Sequence, residues 1–209
     1  LGLMPANETP QSQRFIDTAS QLINDQVDLN KLINLRRLKS TTFSTHNTPI
    51  KVNLTVAIAK DSSFGFYYQD DLDKFDELGV DICYFDTMND SVLPDCDGLF
   101  IGGGFPEMQL EALSDNQSLL VDIKNKIKAG LPTYAECGGL MYLTNKISTA
   151  KGEYPMVGII DADTKMTPKP IGRGYVQLAP LDCHPWKGVA HTIQAHEFHY
   201  SKLENIDPN

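Results

Sequence analysis

Cysteine is scarce in this chain of 209 residues: four occur, at positions 83, 96, 137 and 183. No two form a CxxC pair and none is spaced with histidine as a metal-ligand set. A disulfide scaffold and a metal site are therefore unexpected, and the thiols read as free in a reducing cytoplasm. Positive charge is also short. Lys and Arg number 18 against 27 Asp and Glu, a formal charge of −9, which argues against nucleic acid or an anionic membrane as the main partner. No apolar run approaches the length of a membrane span. Leu1-Gly2-Leu3-Met4-Pro5 lacks the basic start and apolar core of a signal peptide. What remains, 41% hydrophobic and 22% charged residues, suits one α/β domain plus an appendage.

The most strongly punctuated stretch runs from Pro132 to Leu143. An apolar run ends in Cys137, Gly138 and Gly139 follow, and a second apolar run begins at Leu140. That order predicts a buried strand, a tight turn with Cys137 at its apex, and a helix folded back on the sheet. A strained turn of this kind lifts a side chain clear of the sheet. A thiol at a helix start also meets N–H groups and the positive end of the helix dipole, both of which favour thiolate. The competing reading is a buried structural cysteine beside a helix cap.

Leu1 to Pro5 reads as the end of a buried strand. A helix from Pro10 to Asn24 follows, with Phe15, Ile16, Leu22 and Ile23 as apolar members, and a second after Val27 carries Leu29, Leu32, Ile33, Leu35 and Leu38. Lys39 to Pro49 turns to Ser, Thr, Asn and His, as a linker does. Residues 1–38 are thus expected to be the tail of an upstream domain and 39–50 its connector; the alternative is a helical extension of a one-domain protein. Their apolar faces would suit self-association into a homodimer.

From Val52 onward strands and helices alternate. Strands are expected at Val52–Ala59, Asp81–Phe85 and Gly98–Ile101, a loop at 61–65, and helices at Tyr68–Leu78, closed by Gly79, and Ser114–Lys128, closed by Gly130. The fold class is α/β, a mostly parallel sheet flanked by helices, with ligands beyond the carboxyl ends of its strands. At one such end stand Gly102-Gly103-Gly104-Phe105-Pro106-Glu107. Three glycines permit unusual φ values and leave N–H groups uncovered. A phosphate cradle would need Lys-Ser/Thr after the glycines, where Phe105-Pro106 stands. An oxyanion hole serving Cys137 and a plain tight turn are the other readings. Further on, strand-like pieces at Met156–Ile160 and Tyr175–Leu178 surround a Pro-rich loop whose Lys169 and Arg173 read as solvated.

A nucleophilic thiol needs a base. His46 falls in the linker, His184 precedes Pro185-Trp186 in a turn-like stretch, and His191 lies ahead of an alternating segment. In Ala195 to Ser201, read as a strand, Glu197, His199 and Ser201 share one face. The Glu197 carboxylate could then orient or support the His199 imidazole; a plainly hydrogen-bonded strand histidine is the other reading.

Three blocks, Gly98 to Glu107, Tyr134 to Leu143 and His196 to Ser201, resemble in order and spacing the class I glutamine amidotransferase domain of the cobyrinic acid a,c-diamide synthase family, over roughly residues 52–205. Residues 1–38 resemble the end of that family's ATP-binding domain. The resemblance implies a flavodoxin-like class I amidotransferase fold, with the amidotransferase domain at 51–209. It implies Cys137 as the nucleophile that attacks the glutamine side-chain amide to give a γ-glutamyl thioester and ammonia, with His199 as base. Backbone N–H groups of Gly103, Gly104 and Gly138 are the implied oxyanion and glutamine-binding donors. Many class I members carry a Glu two residues after the His. Ser201 stands there instead, which resembles the cobyrinate-type branch that works with a Cys-His pair, and Glu197 is the candidate substitute. No cofactor is implied for this chain; ATP, Mg2+ and the tetrapyrrole acceptor would belong to a synthetase domain upstream of Leu1, P-loop included. A catalytically silent module that docks a synthetase partner is the alternative function.

Overall fold

The computed structural model describes residues 10–35, 52–180 and 192–206. The strand end at Leu1–Pro5, the 39–50 linker with His46, and Cys183, His184 and His191 lie outside the described residues. The chain divides into two compact units, residues 1–53 with 69–81, and residues 54–68 with 82–209.

In the first unit, α1 (Pro10–Gln26) and α2 (Leu29–Leu35) form where the helical apolar period runs. Their apolar members Phe15, Ile16, Leu22, Ile23, Leu32 and Ile33 are exposed. α3 (Gln69–Glu77) opens with Asp70 and Asp71 against the positive end of its dipole. Gly79, at φ 71°, follows its end and adopts the left-handed conformation that a helix stop uses.

The second unit is built on β1 (Thr55–Ala59), β2 (Phe64–Phe66), β3 (Asp81–Phe85), β4 (Gly98–Ile101), β5 (Gly103–Gly104), α4 (Leu110–Asp115), α5 (Gln117–Lys128), β6 (Thr133–Ala135) and α6 (Gly138–Leu143). The central sheet has the order β3-β1-β4-β6, with β1 and β6 both parallel to β4. Strands covered on both faces read as continuous apolar runs. Ala57, Ile58 and Ala59 of β1 and Leu99 and Ile101 of β4 are accordingly buried; all but Ile58 share one cluster with Leu113 of α4, Leu119 and Ile123 of α5, and Met141 and Tyr142 of α6. This is the α/β arrangement expected, and it carries the ends of β4 and β6 to one edge.

Beyond α6 come β7 (Thr144–Thr149), β8 (Gly152–Pro155), β9 (Ile160–Met166), β10 (Gly172–Leu178), β11 (Ile193–His199) and β12 (Ser201–Glu204). A second, mixed sheet runs β12-β9-β7-β8, and β10 and β11 form a two-stranded antiparallel ladder. The buried hydroxyls of Thr144 and Thr164 satisfy each other at 3.0 Å across β7 and β9.

Several elements differ from expectation. The strand read over Ala195–Ser201 ends at His199, with Ser201 opening β12 in the mixed sheet, and β10 starts at Gly172, inside the expected Pro-rich loop, rather than at Tyr175. The first strand starts at Thr55 rather than Val52. The 61–65 loop contains the start of β2, which pairs with the glycine strand β5. The helix expected over Ser114–Lys128 is two helices, because Asn116 leaves helical geometry and spends its side-chain amide on the carbonyls of Thr87 and Asp90. Met156–Ile159 is not a strand: its N–H groups bond the carbonyls of Asn145, Tyr142, Thr144 and Leu143 around the end of α6, and the strand begins at Ile160.

Candidate active site

Cys137 stands between β6 and α6 at φ 50° and ψ −113°. Among the described residues only Asn205 shares a positive φ without being glycine. Such a conformation persists only where the surroundings over-determine it, and here they do. Glu136 N–H donates to the Ile101 carbonyl at 3.1 Å, and Gly139 N–H to the carbonyls of Gly102 at 3.1 Å and Glu136 at 2.8 Å. The two glycines after Cys137 permit this closeness: a Cβ on Gly139 would lie 2.1 Å from the Ile101 oxygen, and one on Gly138 would lie 2.9 Å from the Gly104 oxygen.

The glycine loop is held from its other side. A Cβ on Gly104 would fall 1.8 Å from the Ser63 carbonyl oxygen, and one on Gly102 would fall 2.6 Å from the Tyr67 ring. None of Gly102, Gly103 and Gly104 has a positive φ. Glycine is required for close approach at Gly104, against the Ser63 backbone, and at Gly102, against the Tyr67 ring, and not for the unusual φ values suggested by the triple repeat. Gly103 packs beside Cys137, where a Cβ would lie 3.6 Å from the cysteine Cβ.

Cys137 is an exposed residue, yet the wall around its sulfur desolvates it and pushes the thiol pKa above the ordinary cysteine value. Hydrogen bonds from the N–H groups of Gly138 and Gly104 pull the other way, and the carboxylates of Glu107 and Glu136 add to the rise. Burial raises the Glu107 carboxyl as well. The helix start thus contributes the expected N–H donors, but the net direction is toward thiol. At six residues, α6 has little dipole to offer.

His199 ends β11. Its Nδ1 lies 2.6 Å from the backbone carbonyl oxygen of Ser201; a carbonyl only accepts, so Nδ1 carries a proton, and Nε2 is the ring nitrogen that can act as base. Glu197 lies on the same strand face, with a carboxylate oxygen 3.7 Å from Nε2, a charge-pair distance rather than a hydrogen bond. Gly172, opposite His199 in the ladder, makes room for both: a Cβ there would lie 2.1 Å from His199 Nε2 and 2.9 Å from the Glu197 carboxyl carbon.

The structure therefore gathers Cys137 with Gly103, Gly104 and Gly138, and separately His199 with Glu197 and Gly172. Among the described residues no hydrogen bond or ion pair joins His199 to Cys137. Sequence reasoning missed Gly172, whose role depends on strand register, and the Ser201 carbonyl, which no side-chain pattern can reveal. It also missed Tyr67, whose Oη accepts the Gly102 N–H at 3.1 Å and donates to the Ala59 carbonyl.

Residues 55–209 match the model of the CobB/CobQ-like glutamine amidotransferase domain. Among curated proteins, the cobyrinate a,c-diamide synthase of Methanococcus maripaludis is 40% identical over 100% of this chain and 47% of its own length. That of Synechocystis is 38% identical over 100% and 44%, and that of Magnetococcus marinus 35% identical over 99% and 46%. The chain thus spans about half the length of the curated relatives it matches. A thiol on a strained elbow, faced by glycine N–H groups, lies inside the matched span, and the chain belongs to the CobB/CobQ-like glutamine amidotransferase domain family.

Proposed function

We propose that this chain is the glutamine-hydrolysing half of an ATP-dependent amide ligase that amidates the a and c carboxylates of cobyrinic acid. The observation that carries the hydrolytic half is Cys137 at φ 50° on the elbow, packed beside Gly103, with the N–H groups of Gly138 and Gly104 drawing its pKa down against the rise from burial. His199 Nε2 takes the thiol proton, and the thiolate adds to the side-chain carbonyl carbon of glutamine. The oxyanion that forms is met by glycine N–H groups. The tetrahedral species collapses as His199 returns the proton to the leaving nitrogen, giving ammonia and a γ-glutamyl thioester on Cys137. Water, deprotonated by His199, attacks the thioester and releases glutamate and the thiol, so glutamine and water become glutamate and ammonia. Glu197 at 3.7 Å from Nε2 favours the transient imidazolium. The separation of His199 from Cys137 in the free domain is compatible with this, since catalytic hydrogen bonds often tighten only around substrate.

The names of the relatives support the acceptor, and their twofold length supports a further synthetase half that would hold ATP, Mg2+ and the tetrapyrrole and consume the ammonia. Exposed apolar residues on α1 and α2 support their being covered by that half. Free thiols at Cys83, Cys96 and Cys137 fit a reducing, cytoplasmic setting. The test is glutamate release from glutamine by the intact protein. Release is expected from the wild type and only at background from Cys137→Ala; a Cys137→Ala protein that keeps the wild-type rate overturns the proposal.

A further inference from the structure

We propose that Tyr67 is a positioning residue that aims the oxyanion donors of the glycine loop, a role that rests on the glutaminase function proposed above. Tyr67 follows β2, and its phenol bridges two strands of the central sheet. Its Oη accepts the Gly102 N–H just beyond β4 and donates to the carbonyl of Ala59 at the end of β1. Its ring meets Phe100 edge-on, with centroids 5.1 Å apart, and fills the space where Gly102 would carry a Cβ.

The two backbone groups of Gly102 are thereby fixed from opposite sides. Tyr67 holds its N–H, while its carbonyl accepts the N–H of Gly139 on the elbow helix. At the far end of the loop, Phe105 N–H donates to the Ser63 carbonyl at 2.9 Å. Gly103 and Gly104 are pinned between these anchors beside Cys137, and it is the Gly104 N–H that, with that of Gly138, draws the thiol pKa down. The Gly102 N–H, already occupied by the phenol, is unavailable to an oxyanion. Removing the phenol oxygen would leave both the Gly102 N–H and the Ala59 carbonyl without this partner. The peptide leading to Gly104 would then be free to turn its donor away. Burial pushes the Tyr67 ionisation far above the ordinary tyrosine value, so the hydroxyl keeps its proton and acts as donor and acceptor at once. Tyr67 contacts Gly102, Ala59 and Phe100, so it acts on the site through the Gly102–Gly104 backbone.

The test compares Tyr67→Phe with Tyr68→Phe, the latter altering an exposed neighbour, in the intact protein. Misaiming a donor costs less than the 10²–10³ of deleting one, so kcat for glutamate release should fall about tenfold in Tyr67→Phe, with KM for glutamine within about twofold. Alkylation of Cys137 by iodoacetamide needs no oxyanion donor and feels only the weakened pull of the Gly104 N–H on the thiol pKa, so it should slow by no more than about threefold, well short of the fall in kcat. Tyr68→Phe should match wild type throughout. An unchanged kcat in Tyr67→Phe, or a parallel loss of iodoacetamide reactivity, overturns the proposal. Should Tyr67→Phe fail to fold, amide hydrogen exchange at Gly102 in the wild type still decides: slowing of about 100-fold or more is expected, and exchange at the rate of an open amide overturns it. A wild type that releases no glutamate overturns the glutaminase function, and this role with it, through a readout separate from Gly102 exchange.

Discussion

Cys137 and His199 stand in parts of the domain that are built in opposite ways. The cysteine sits where β4, β6, the glycine strand β5 and α6 converge; the N–H groups of Glu136 and Gly139 around it are tied to the carbonyls of Ile101 and Gly102, and its own carbonyl accepts the Met141 N–H at 3.3 Å. Its strained φ is the product of those ties. The histidine sits on a two-stranded ladder whose outward side chains are open: Tyr175 is 90% and Phe198 45% exposed. A two-stranded ladder alone is marginal in water, so little in β10 and β11 compels one position for His199 beyond the Ser201 carbonyl, Glu197 and the notch at Gly172. The difference teaches that the Cys137 thiol and the glycine N–H groups beside it are prebuilt by the core, whereas the His199 imidazole is oriented by local contacts of its own ladder.

If that contrast holds, substitutions in the two halves should fail differently. Gly104→Ala drives a Cβ into the Ser63 carbonyl, which is backbone and cannot step aside. Loss of about 3 kcal/mol or more of stability is expected, seen as a collapsed unfolding midpoint together with lost glutaminase activity. His199→Ala should cost about 10³-fold in kcat for glutamate release, while the melting temperature moves by only a few degrees; a large stability loss would show that the ladder is as tightly built as the elbow. Gly172→Ala meets side-chain atoms of His199 and Glu197 that can swing aside. It should lower kcat about tenfold by displacing the imidazole, with a stability change under about 1 kcal/mol in denaturant titration. The smallest effect is electrostatic. Because desolvation and then the carboxylates of Glu107 and Glu136 raise the Cys137 pKa, the rate of alkylation by iodoacetamide should climb with pH to a midpoint above that of an ordinary cysteine. Removing one carboxylate in Glu107→Gln should lower that midpoint and speed alkylation at neutral pH by about twofold.

The elbow was legible because its signal is local: an apolar run, a cysteine, two glycines and a second apolar run leave few ways to fold. The alternation of strands and helices gave the parallel sheet for the same reason. β2 and β5 escaped notice because strands of three and two residues, one of them wholly glycine, carry no period. The break at Asn116 is a tertiary effect, made by carbonyls of Thr87 and Asp90 distant in sequence. At Ser201 the side-chain pattern pointed to a missing carboxylate, while the structure fills the place at His199 Nδ1 with a backbone carbonyl. The glycine triplet matters for a property other than the one expected, since none of its residues takes a positive φ and the neighbours of Gly102 and Gly104 are too close for a Cβ.

The central claim, that Cys137 is the thiol that carries the glutamyl group, is tested most directly by quenching the intact protein during glutamine turnover and mapping the modified peptide by mass spectrometry. A γ-glutamyl thioester on Cys137, absent from Cys137→Ala, is the predicted result. A glutamyl adduct on Cys83, Cys96 or Cys183, or turnover that persists in Cys137→Ala, would contradict it.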